Sequence, residues 1–115
     1  MKTTLLIALF FMFNVTNQSC SKYKLSEEHP KCLEKLIKEF DKNQTCDKGV
    51  RVEEYIFQEK TVYVFDPGTC GADMMSTVYS NECQRLGGLG GIAGNGTING
   101  ENFENAKFVS IVWER

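Results

Sequence analysis

Five cysteines are the most reactive side chains in the sequence: Cys20, Cys32, Cys46, Cys70 and Cys83. No two share a Cys-x-x-Cys spacing, and one histidine, His29, accompanies them, so the usual ligand pattern of a zinc site is missing. A lone histidine beside Pro30 supplies no Ser/His/Asp or Cys/His arrangement and reads as exposed at a helix start. Asp66, Asp73 and Glu82 could gather around a cation, yet they lack the spacing of an EF-hand loop and read more simply as solvated turn carboxylates. Gly88-Leu89-Gly90-Gly91-Ile92-Ala93 is formally G-x-G-x-x-A, but it stands close to the last strand with no helix after it, where a dinucleotide site would need a strand-to-helix turn opening a long βαβ unit. These features predict a protein that is not an enzyme and uses no metal or other cofactor.

Cys20 has a separate role. Lys2, an apolar run over residues 5–13 and a polar stretch over residues 14–19 have the layout of a secretory signal peptide, and the run is too short to span a bilayer. Asn17-Gln18-Ser19 before Cys20 resembles a bacterial lipobox, with Asn17 where an aliphatic residue is expected. Acylation of Cys20 would leave four cysteines, an even set for an exported chain. Residues 1–19 are therefore expected to be a signal peptide, residues 20–29 a lipidated cysteine and polar tether, and residues 30–115 one domain. A diacylated cysteine would anchor that domain to a membrane of the bacterial envelope, facing the periplasm or the cell surface, with plain secretion as the alternative. Cleavage before Cys20 removes 19 of 115 residues, leaving 96 with 12 basic and 15 acidic side chains. Such a balance disfavours a nucleic-acid partner. A chain this short also buries only a modest core, which disulfides would supplement.

The elements that position these residues follow from hydrophobic spacing. Leu33, Leu36, Ile37 and Phe40 recur at helical intervals after Pro30, while Lys31, Glu34, Lys35, Lys38 and Glu39 fill the outer face. Asn43, Asp47 and Gly49 end the helix. From Val50 to Phe65 the period becomes two: Tyr55, Phe57, Val62 and Val64 share one face of a hairpin, and Ile56, Tyr63 and Phe65 the other. Glu59-Lys60 marks its turn without the glycine that tight hairpins prefer. Asp66-Pro67-Gly68 has type II turn chemistry. Thr77 to Tyr79, residues 83–86 and residues 108–113 read as further strands, the last with Val109, Ile111 and Trp113 as its core face. Seven of the ten glycines crowd into residues 87–100 and read as a loop packed down by Leu86, Leu89 and Ile92. One helix followed by about five strands predicts an α+β domain, the helix lying on one face of an antiparallel sheet.

Two disulfides are expected among Cys32, Cys46, Cys70 and Cys83, each worth ~3 kcal/mol. Pairing Cys32 with Cys46 meets a geometric objection if the helix reaches Lys42. The rise from Cys32 is then roughly 15 Å. The four residues onward to Cys46 reach back at most ~14 Å. Bonds from the helix to the sheet region, for example through Cys70, fit better.

The cysteine-bearing helix, Thr61-Val62-Tyr63-Val64-Phe65, Cys70, Ser76-Thr77-Val78-Tyr79 and Gly90-Gly91-Ile92-Ala93-Gly94 together resemble a family of uncharacterised exported bacterial lipoproteins. That resemblance implies location and architecture. Locally, Cys70-Gly71-Ala72-Asp73 followed by Tyr79-Ser80-Asn81-Glu82-Cys83 is similar to the centre of Kazal-type serine protease inhibitors, with two extra residues between Cys70 and Tyr79. It implies a protease as partner. The leading expectation is a non-enzymatic binding or structural module held at a membrane by its lipid, with Ile56, Tyr63 and Phe65 as a partner patch. Kazal-like inhibition is the alternative.

Overall fold

In the computed structural model, residues 22–115 are described; residues 1–19, expected as a signal peptide, and Cys20 lie outside them. Helix α1, Lys31–Asn43, follows Pro30 as its N-cap residue and buries Leu33 and Ile37, with Leu36 and Phe40 half-buried on the same stripe. The expected spacing thus forms the expected face. The backbone N–H of Gln44 closes the helix on the carbonyl of Asp41 at 3.3 Å.

Strands β1 (Val50–Phe57) and β2 (Lys60–Pro67) form the predicted hairpin, with Val52 opposite Phe65 and Phe57 opposite Lys60. Its turn residues are Gln58 and Glu59, one position earlier than expected, with φ of 51° and 63°. Two positive φ values are what a type I′ turn demands, and glycine adopts them without the Cβ penalty. Glu59→Gly is accordingly expected to raise stability by about 0.5–1 kcal/mol, read as a higher thermal midpoint with unchanged enthalpy per residue.

Strands β3 (Met75–Ser80), β4 (Arg85–Gly90) and β7 (Lys107–Glu114) complete a five-stranded antiparallel sheet of order β4-β3-β2-β1-β7. Between β4 and β7 lie a two-residue hairpin, β5 (Thr97–Ile98) with β6 (Glu101–Asn102), and a 3-10 turn, Phe103–Asn105. The domain is α+β, as expected, and its sheet is covered on both faces. On one face α1 packs Leu33 and Ile37 against Val50, Val52, Tyr63, Phe65 and Trp113. On the other, Ile98 and Phe103 pack with Phe57, Val62, Val64 and Val78.

That second layer explains where the glycine stretch departs from a simple loop. Its first part is strand β4, which begins at Arg85 rather than Cys83. A Cβ on Gly87 would stand 2.9 Å from Ile98 Cδ1, and one on Gly88 would collide with the side chain of Met75. Bare backbone here lets two apolar side chains lie directly on the strand. Ile92 is exposed rather than packed down.

Both disulfides avoid the sequential pairing. Cys32–Cys83 ties the first turn of α1 to the β3–β4 turn, and Cys46–Cys70 ties the segment after α1 to the β2–β3 connection. The helix is therefore bonded to the sheet region through Cys83, not Cys70. Gly68, with φ +95°, lies where a Cβ would meet the Lys48 carbonyl and would come within 2.9 Å of Cys46 Sγ, so the turn beside the second bond requires glycine.

Within residues 22–29, expected as a polar tether, Tyr23, Leu25 and His29 are half-buried against the domain. Tyr23 and Leu25 pack against the core under α1, and the backbone N–H of Leu25 donates to Glu34 Oε1 at 2.9 Å. Within the core face expected for β7, only Trp113 is buried; Val109 and Ile111 are exposed, as is Phe108. Register shifts against β1 at Val52/Glu53 and Glu54/Tyr55 break the alternation that the sequence pattern assumed.

Candidate functional site

Three turns meet at one end of the sheet: residues 58–59 between β1 and β2, residues 81–84 between β3 and β4, and residues 99–100 between β5 and β6. They enclose a cavity of about 540 Å³. Buried Phe57 and Val62 and half-buried Leu86 contribute its apolar wall, which the second core layer fixes in place. Gln58, Asn81, Gln84 and Asn99 line it with carboxamides, and Lys60 and Glu82 add one charge of each sign. Gln58 Nε2 reaches the Asn99 carbonyl at 3.5 Å, linking two of the three turns. Ser80 Oγ accepts from the backbone N–H groups of Glu82 and Gln84, both at 3.2 Å, which shapes the third.

A polar cluster on the α1 face of the sheet abuts this cavity. His29 Nδ1 is 3.2 Å from the Tyr63 hydroxyl and 3.3 Å from Glu54 Oε1. Tyr63 in turn donates to Asn81 Oδ1 at 3.3 Å. Burial, with the neighbouring Glu54 carboxylate adding to it, pushes the Tyr63 hydroxyl up to about 12, so it remains a neutral donor. Asn81 is the shared member: its carbonyl is engaged by Tyr63, while the residue also borders the cavity. His29 is thus half-buried and partnered, not exposed at the helix start as its sequence context suggested.

On the opposite face Glu53, buried, accepts from Arg51 Nε at 2.9 Å and from the Tyr55 hydroxyl at 3.0 Å. Burial first, and then the Glu53 carboxylate, raises the Tyr55 hydroxyl above its ordinary range. Asp66 is 4.0 Å from Arg51 Nε, and its Oδ1 accepts from Gly68 N–H at 2.9 Å. The hydrogen bonds of this set lie within β1 or at the end of β2, and the Arg51–Asp66 pair is its link between the two strands.

The sequence-derived candidates fare unequally. Tyr63 and Phe65 are 1% and 2% exposed beneath α1, whereas Ile56 is 37% exposed, so the three do not form a surface patch. The reason is that α1 covers the face they share. Cys32, Cys46, Cys70 and Cys83 are all in disulfides, and Cys20 lies outside the described residues. Asp66 and Glu82 sit at opposite ends of the β2–β3 pair, and among the described residues no three His, Cys, Asp or Glu side chains converge as a metal site. The Kazal-like residues are split between two disulfides; residues 62–65, before Cys70, are buried in β2, and β4 rather than a helix follows Cys83. No described helix is long and apolar enough to cross a membrane.

The cavity residues are not legible in the sequence because they lie in three turns far apart in the chain. A weak signal existed: two of the amides, Gln58 and Asn99, stand at positive-φ turn positions, where hairpins prefer glycine. A family model described as a domain of unknown function matches residues 38–115, beginning inside α1 and including three of the four bonded cysteines. Neither curated proteins nor solved structures gave a match.

Proposed function

This chain belongs to the DUF6970 family, a domain of unknown function, and we propose that it is an exported, lipid-anchored module that binds rather than transforms its ligand. The observation that carries the reading is the amide-lined cavity held by a disulfide-stapled frame. Its lining offers hydrogen-bond donors and acceptors beside an apolar wall, the composition of a recognition site. Two disulfides are compatible with an oxidising compartment. The lipobox-like residues before Cys20 support anchoring at the bacterial envelope. With Tyr23 and Leu25 docked, little chain separates the domain from Cys20, which would hold it close to a membrane.

Intact-mass spectrometry of the native protein, before and after reduction, tests location and stapling together. The expected result is a chain starting at Cys20 that carries lipid mass, has no alkylatable thiol before reduction and exposes four after it. A free, alkylatable Cys20 in the oxidised protein would remove the anchor from this reading.

A further inference from the structure

We propose that the cavity between the three turns takes a neutral, hydroxyl-rich small molecule, a saccharide in chemical class. The proposal rests on the reading of this domain as a binding module and specifies what such a module would hold. At about 540 Å³ the cavity is large enough for one or two sugar rings. Four carboxamides, from Gln58, Asn81, Gln84 and Asn99, reach it from three separate turns. A carboxamide sets a donor beside an acceptor without charge, which suits hydroxyl groups that both donate and accept. Lys60 and Glu82 oppose each other in sign, so the lining has no net preference for an anion or a cation. Half-buried Leu86, backed by the buried Phe57 and Val62, gives a small apolar surface against which the C–H face of a ring can lie.

Backbone conformation points to the same place. Among the described residues four non-glycine residues have positive φ: Gln58 (51°), Glu59 (63°), Cys83 (62°) and Asn99 (50°). All four belong to the turns around the cavity. Asparagine tolerates this region, whereas glutamine gains nothing locally from occupying it. A glycine at position 58 would relax the turn and delete one cavity amide, so the strained position carries a side chain that lines the cavity and reaches the Asn99 carbonyl across it. Asn81 is oriented separately: Tyr63 engages its carbonyl, leaving its NH2 for a ligand oxygen.

The test is NMR titration of the ¹⁵N-labelled oxidised protein with chitotriose, maltotriose and inositol, with glucose 6-phosphate and spermidine as charged comparators. At millimolar concentration a neutral probe is expected to shift the side-chain NH2 signals of Gln58, Asn81, Gln84 and Asn99 in a saturable way. Gln58→Gly should weaken that binding about tenfold while raising the thermal midpoint. Gln84→Ala, at an exposed position, should weaken it without altering the fold. Neutral probes that move no amide signal, or that bind both variants as tightly as the native protein, would overturn the proposal. If the charged comparators alone move them, the ligand class fails but the binding reading stands; if no probe does, the binding reading loses its site as well.

Discussion

Replacing Cys32 and Cys83 together by alanine is expected to lower the unfolding free energy by about 4 kcal/mol, and replacing Cys46 and Cys70 by about 3.5 kcal/mol. The ranking follows the sequence separations that the bonds close, 51 and 24 residues. A longer closed loop removes more freedom from the unfolded chain, so its loss costs more. Domains of this size hold roughly 5–15 kcal/mol in total, which makes either loss a large fraction of stability. The first bond also acts on local geometry. Cys83 has φ 62° in the turn beside the cavity, and its bond fixes that turn against the first turn of α1. The Cys32/Cys83 variant should therefore show faster amide exchange at residues 81–84 as well as a lower urea midpoint. Equal midpoints for the two pair variants, or the reverse order, would refute the loop-length argument.

The sequence made one layer of this fold legible and left the other hidden. Leu33, Leu36, Ile37 and Phe40 specify a single helical stripe, and Tyr55, Phe57, Val62 and Val64 specify one hairpin face, because each set repeats with the period of its own element. What periodicity does not reveal is which surface covers a face. Tyr63 and Phe65 could be read as a partner patch only because nothing local says that α1 lies on them. Ile98 and Phe103 sit in short elements with no pattern, yet they close the second core layer. The β7 bulges misplaced Val109 and Ile111 for a related reason: one inserted residue reverses inside and outside, and a pattern of alternation assumes none. The cavity was least legible, since residues 58, 81, 84 and 99 become neighbours only when three hairpins end at one level of the sheet.

Asp41→Ala is expected to cost about 3 kcal/mol at neutral pH, since the helical period that buries Leu33 and Ile37 carries this carboxylate onto the same face. Asp41 lies on the buried side of α1 and is 5% exposed. The Tyr23 hydroxyl donates to its Oδ2 at 2.6 Å, Lys22 Nζ is 3.0 Å from the same oxygen, and Arg115 Nε is 2.9 Å from Oδ1. Arg115 also donates to the Asp41 and Cys46 carbonyls, at 2.8 and 2.6 Å, in the last turn of the helix and in the segment after it. One carboxylate thus joins the docked segment ahead of α1, the helix itself and the residue that follows β7. The Tyr23 hydrogen bond, with Lys22 and Arg115 adding to it, outweighs the opposing effect of burial and holds its pKa below the ordinary carboxylate value. A depressed folded-state pKa means that the ionised form stabilises the fold fully above the unfolded value, near 3.8, and that this contribution is lost as pH falls through the lower, folded value. The stability gap between the native protein and Asp41→Ala, measured by urea unfolding, should therefore be constant from pH 7 to 5 and narrow below pH 4. Asp41→Asn, which keeps an acceptor for Tyr23 but no charge, should fall between them at neutral pH and show no narrowing of its own. A gap that stays the same down to pH 2 would mean that Asp41 acts through packing alone, and the carboxylate would lose its role as the junction of the three segments.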